Sequence, residues 1–147
     1  MLSNASKYAI RAVLFLAEKS NLENRYSASD ISQELHVSNY FIAKLLQQLA
    51  KKNIISSIKG PKGGFYLSEE NLKLKICDIL NVLEIKNVFE GCFLGLPSCD
   101  DSNPCPVHDI VSDFKSNILE KFEMQTIREL SEEIKTNGTL ITLKNII

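Results

Sequence analysis

Three of the chain's four cysteines and one of its two histidines stand together in GCFLGLPSCDDSNPCPVHDI, residues 91–110. Cys92, Cys99, Cys105 and His108 are the side chains of this sequence best suited to inorganic chemistry. Thiolates are soft, strongly donating ligands, and imidazole joins them both on iron–sulfur clusters and on zinc. Gaps of six, five and two residues give the loop enough slack for its donors to converge from one side. A disulfide would leave one of the three sulfurs odd. The spacing alone does not choose between an iron–sulfur cluster and a tetrahedral zinc ion held by three thiolates and an imidazole. Cys77, in KICDILNVL, lies on an apolar helix face and reads as a small core residue. His36, in a turn between two short helices, reads as a polar surface or capping residue.

A net charge of -1 hides a strong asymmetry. Residues 36–75 hold seven lysines against Glu69 and Glu70, a net +5, whereas residues 76–147 hold six basic and twelve acidic side chains, a net -6. A basic middle points to a polyanionic partner. Within it, Ser38 is placed to cap a helix over NYFIAKLLQQLAKKN whose apolar stripe is Phe41, Ile42, Leu45, Leu46 and Leu49. Off that stripe lie Asn39, Tyr40, Lys44, Gln47, Gln48 and Lys51, amides and cations able to read base edges in a major groove and to pair with phosphates. Ser38 and the free N–H groups of the helix start can hold a phosphate. Further on, KGPKGG separates the β-rich IISSI from FYL, which predicts a hairpin. Lys59 and Lys62 at its tip reach toward a phosphate or the minor groove, and Gly60, Gly63 and Gly64 let the tip turn tightly and approach a DNA backbone. Either feature alone also suits a solvated surface; the two together, in a locally basic stretch, predict binding to double-stranded DNA.

The elements that must position these residues follow from the pattern. A first helix runs from about Asn4 to Lys19, capped by Ser3 or Asn4, with Ala9, Ala12, Val13, Leu16 and Ala17 at helical spacing. Ser27 and Asp30 form a capping box for a short helix to about Leu35, and HVS turns the chain into the lysine-rich helix. Residues 1–75 thus read as a winged helix-turn-helix DNA-binding domain. Residues 76–105 read as a connecting helix in LKICDILNVLE followed by the ligand loop from about residue 85. Residues 106–147 read as a dimerisation segment. Its long helix starts at Pro106, a good first helical residue, and runs to about Phe122. Ile110, Val111, Phe114, Ile118 and Phe122 form an apolar stripe on it. His108 then falls one turn inside the helix, and the helix's positive end favours thiolate at Cys105. Thr126 and Glu129 form another capping box, for a terminal helix over IRELSEEI; TLITLKNII is apolar and β-branched and finds no place. The fold class is mainly α with a small β-hairpin wing.

No apolar run approaches the ~20 residues that cross a bilayer, and the N-terminus lacks the uninterrupted apolar region and cleavage site of a signal peptide. A cytoplasmic location without membrane contact is expected, where clustered thiols serve as ligands or redox groups rather than disulfides. No nucleophile is paired with a base and no second cofactor motif is present, so no enzyme is expected; from outside the regulators, an electron carrier is the remaining use of such a ligand set.

KYAIRAVL (7–14), VSNYFIAKLLQQL (37–49), SSIKGPKGGFYL (56–67) and NPCPVHDI (103–110) resemble the Rrf-type bacterial transcription regulators over roughly residues 1–135. The wing and the cysteine triplet are the most specific parts, and the triplet matches the IscR- and NsrR-like branch; members similar to CymR lack it. The resemblance implies a homodimer in which the long helix crosses its partner, a role the stripe on that helix suits. It also implies a cluster beside the helix whose state changes DNA affinity. By matched position Cys92, Cys99 and Cys105 are ligands and His108 the fourth. Some members take the fourth ligand from a carboxylate on the N-terminal helix of the other subunit, a position that is Lys7 here and cannot serve. Three thiolates with an imidazole favour [2Fe–2S], with [4Fe–4S] or zinc as alternatives. The expectation is a homodimeric regulator that senses iron–sulfur, redox or nitric-oxide status; a zinc-stabilised regulator without sensing is the alternative.

Overall fold

Side-chain oxygens start the first three helices, as the spacing predicts. Ser3 accepts the Ser6 N–H at 3.2 Å and opens α1 (Asn4–Lys19). Ser27 and Asp30 form their reciprocal box on α2 (Ala28–Leu35). Ser38 accepts the Phe41 N–H at 3.2 Å and opens α3 (Asn39–Lys51). Between the last two, exposed His36 ends α2 in the left-handed region at φ 51°. The computed structural model describes residues 2–83 and 87–138, with only the backbone at 87 and 88; the unplaced TLITLKNII lies outside the described residues.

The wing is an antiparallel pair, β1 (Ser56–Ile58) and β2 (Gly64–Tyr66), with Ser57 opposite Phe65. The apolar residues just before β1 leave the hairpin and enter the core, with Ile54 and Ile55 buried. Tyr26 and Phe65 exchange two backbone hydrogen bonds, of 3.0 and 2.8 Å, so the α1–α2 connection lines the wing as a third edge. A short helix the pattern did not reveal follows, α4 (Glu69–Leu72), boxed by Ser68 and Asn71. Asn71 is buried, accepts from Ser56 Oγ at 2.7 Å and donates to the Asn53 carbonyl at 3.0 Å, tying α4 to the start of the wing and the end of α3.

Helix α5 (Ile76–Val82) is the expected connecting helix, and another unexpected turn, α6 (Asn87–Glu90), opens what reads from the sequence as loop. The long helix α7 (His108–Met124) begins two residues later than expected. Pro106 does not start it: the chain from Cys105 to His108 makes a turn closed by the His108 N–H on the Cys105 carbonyl at 3.0 Å. Proline's fixed φ suits the second position of such a turn as well as the first of a helix. His108 is therefore the first residue of α7 rather than one turn inside it. Thr126 and Glu129 box α8 (Ile127–Asn137) as expected.

One apolar core runs from α1 through α5 and takes in Ile127 of α8. Helix α8 packs on α1; Leu14 and Phe15, outside the stripe read for α1, are also buried, with Phe15 meeting Tyr26 edge-on at 5.0 Å. The Ile127 N–H reaches the Leu74 carbonyl at 2.8 Å, and Arg128 pairs with Glu69, so the chain returns after α7 to α4 and the segment that follows it. Helix α7 touches chiefly α5 and α6. Among the described residues no helix is long and apolar enough to cross a membrane.

Ile127 is fully buried, and Ile127→Ala is expected to lower unfolding stability by about 2–5 kcal/mol through lost burial and a cavity. Urea denaturation checks it: a change under about 1 kcal/mol would show that α8 is not part of this core.

Candidate functional site

The face of α3 expected to meet nucleic acid lies opposite its buried stripe. Ile42, Leu45, Leu46 and Leu49 bury one side of α3, and Phe41 meets Tyr8 edge-on at 5.9 Å. Asn39, Tyr40, Lys44, Gln47, Gln48 and Lys51 are exposed on the other, Tyr40 most of all at 81%. Ser38 is committed to its cap at the helix start. Lys59 and Lys62 stand exposed at the wing tip, and a groove between wing and α3 is lined by Gln47, Lys51, Lys59, Gly60 and Gly63. The tip is a turn closed by the Gly63 N–H on the Gly60 carbonyl at 2.9 Å, with Gly60 at φ 108°. A Cβ at Gly63 would run into the Ile58 carbonyl and stand 2.9 Å from that of Gly60, so the tip tolerates no side chain there. Arg25 carries a role that sequence reading missed. Its Nε and Nη2 donate to the Lys62 carbonyl at 3.2 and 2.8 Å and hold the tip to the α1–α2 connection. Separated from Lys62 by 37 residues, it leaves no local signal.

The soft donors come together as two pairs. Cys99 Sγ lies 3.5 Å from His108 Nδ1, and the Cys92 and Cys105 side chains are within hydrogen-bonding reach. Among the described residues no three of His, Cys, Asp and Glu gather around one metal-sized point. His108 Nε2 lies 2.7 Å from Asp101 Oδ1, and its ring is 10% exposed while Asp101 is 97% exposed. With Nε2 against the carboxylate, Nδ1 is the ring nitrogen that faces Cys99. Cys99, Cys105 and His108 share with Lys115, Phe89 and Phe93 the wall of a cavity of about 220 Å³.

Cys92 and Cys77 differ in character. Backbone N–H groups, that of Leu96 foremost, hold the Cys92 thiol below its ordinary range, helped by those of Leu94 and Gly95 and by Cys105. Burial pushes Cys77 up, with the nearby charges of Asp78 and Glu123 adding to it, as suits a packing residue. The Ser102 hydroxyl and N–H hold the Asp100 carboxyl below its usual range.

On α7, Ile110 is 76% and Phe114 48% exposed, with Val111 and Ile118 half-buried. Phe122, read from the sequence as the end of the same stripe, meets Phe89 of its own chain edge-on at 6.0 Å.

Three helices ending in a reading face, followed by a basic hairpin, define a helix-turn-helix DNA-binding transcription regulator of the winged kind. The chain belongs to the Rrf2 family, described as "Iron-dependent Transcriptional regulator", which matches residues 2–133. An Aquifex aeolicus protein named "Putative HTH-type transcriptional regulator" is 32% identical over 87% of this chain and 89% of its own length. The regulator IscR of Vibrio cholerae is 26% identical over 88% of this chain and 73% of its own. Among solved structures, CymR, the global cysteine regulator of B. subtilis, superposes with a TM-score of 0.71 at 20% identity, covering 90% of this chain and 97% of its own. IscR of T. potens superposes at 0.68 and 19%, over 95% and 91%. These structural likenesses establish the winged-helix fold, and the family assignment makes the chain a regulator rather than an enzyme.

Two measurements probe the two faces. Lys59→Ala and Lys62→Ala are each expected to flatten the slope of log K against log[salt] by about 1; an unchanged slope shows that the residue touches no phosphate. Near neutral pH, the metal-free protein is expected to react with iodoacetamide at Cys92 before Cys77, since a lowered pKa leaves more thiolate and a raised one less. Site-resolved mass spectrometry reads the order, and the reverse order refutes it.

Proposed function

We propose that the chain is a homodimeric regulator whose DNA affinity responds to an iron–sulfur cluster, [2Fe–2S] by its donor set, on Cys92, Cys99, Cys105 and His108. The observation that carries this reading is the pose of His108, held by Asp101 on one nitrogen and turned toward Cys99 with the other. A metal-ligating histidine is ordinarily oriented by a carboxylate in this way. The donor set fits in kind, for thiolates with imidazole suit iron–sulfur centres. When bound, such a cluster supplies a centre that changes charge, or is lost, with redox conditions and nitric oxide.

The chain's own residues supply the rest. The loop leads directly into α7, so the pose of His108 is also the pose of that helix's first residue. Ile110, Val111, Phe114 and Ile118 form the face on which a second copy pairs; burying each such side chain contributes about 1.5–3 kcal/mol. From α7 the chain passes into α8, which packs on α1. A shift of the loop thereby becomes a shift in how two copies of α3 are spaced. In a dimer these enter successive major grooves ~34 Å apart; Asn39, Tyr40, Lys44, Gln47 and Gln48 read bases while Lys51, Lys59 and Lys62 hold phosphates.

The Asp101–His108 pair suits zinc equally well, and zinc stabilisation without sensing is the second reading. Anaerobic purification separates the two: coloured protein with acid-labile sulfide supports the cluster, and colourless protein with stoichiometric zinc supports the second. Operator selection with loaded and metal-free protein then reads the coupling, expected at roughly 5–150-fold in affinity. Cys99→Ser is expected to abolish the colour and that difference together. Serine at all three positions with promoter affinity unchanged under every redox condition would overturn the sensing role.

A further inference from the structure

Among the described residues one charged side chain is buried, Lys115, at 7% exposure, and it is the one buried residue of α7. Lysine is seldom buried, because desolvating an ammonium is costly. This one has a particular acceptor: Nζ donates to the carbonyl of Gly91, the residue before Cys92. Among the described residues no carboxylate forms an ion pair with it. It shares the cavity wall with Cys99, Cys105 and His108, where Glu90 and Asp101 are the acidic side chains. A methionine or leucine there would dock α7 on the body at lower desolvation cost. An ammonium does two further things: it pins the start of the cysteine loop to α7, and it sets a positive charge in the wall of a cavity into which thiolates bring negative charge.

We propose that Lys115 is a positioning and charge-compensating residue of the cysteine loop. It fixes Gly91 against α7, and it favours the more negative, one-electron-reduced state of the centre. The second role rests on the iron–sulfur reading above; the first does not. Opposite charges several ångströms apart in a partly buried site interact strongly enough to shift such an equilibrium about tenfold.

Two measurements on the full chain test both roles. Lys115→Met keeps the apolar stem and removes the charge, and Lys115→Arg keeps the charge. In metal-free protein, hydrogen exchange at the amides of residues 92–96 is expected to rise at least tenfold in Lys115→Met, with the rest of the chain unchanged. In the anaerobically reconstituted protein, titrated with dithionite as electron donor, the reduced-to-oxidised ratio at a fixed potential is expected to fall about tenfold in Lys115→Met, or 59 mV for a one-electron couple. In Lys115→Arg it is expected to hold near wild type. Unchanged exchange in residues 92–96 overturns the positioning role. Equal shifts in the Met and Arg variants, or none in either, overturn the charge role. Should the wild type take up no iron and sulfide, the iron–sulfur reading and the charge role fall together, and exchange alone decides the positioning role. Should exchange rise throughout Lys115→Met, showing a fold lost as a whole, Lys115→Gln takes its place in the same comparison.

Discussion

Helix α7 has seventeen residues and buries only Lys115 within its own chain. Helices in proteins persist mainly through a buried apolar face. On α7 that face is turned outward, with Ile110 and Phe114 among the exposed large apolar residues. Its hold on the body comes from α5 and α6, from Lys115 on the Gly91 carbonyl, from Phe122 on Phe89 and from the turn from Cys105 to His108 at its start. The cysteine loop is joined to α7 at His108, the helix's first residue, and its start meets the same helix again where Lys115 donates to the Gly91 carbonyl.

The reading head has the opposite character. Helix α3 buries four large side chains, its C-terminal end is tied through Asn71, and the wing is bonded along Tyr26 and held at its tip by Arg25. Ser20 Oγ adds a further tie, accepting the Leu67 N–H at 3.0 Å where β2 leaves the wing. A head braced from several directions moves as one body. In the dimer proposed above, regulation would act on the relative placement of two such bodies rather than on the shape of either one, because reshaping a braced unit costs more than reorienting it as a whole.

Much of this architecture was legible because it rests on local rules. The caps at Ser3, Ser27, Ser38 and Thr126 each place an oxygen three residues before the N–H that it accepts, and the stripe on α3 repeats at helical spacing. The misses have equally physical causes. Helices α4 and α6 are single turns, too short to show a period. Pro106 is compatible with either a helix start or a turn, and only the placement of His108 decides between them. Lys115 reads as one more polar residue of α7 until the fold brings Gly91 against it.

The sequence by itself determined the helix starts, the hairpin, the basic middle of the chain and the clustering of soft donors, since each depends on residues a few positions apart. The tertiary structure decided what joins distant stretches: Arg25 to Lys62, Leu67 to Ser20, Arg128 to Glu69 and Lys115 to Gly91. It also decided that the donors meet as pairs and that α8 returns to α1. Such contacts form only when burial of a shared core brings remote segments within hydrogen-bond reach, and no spacing along the chain records that.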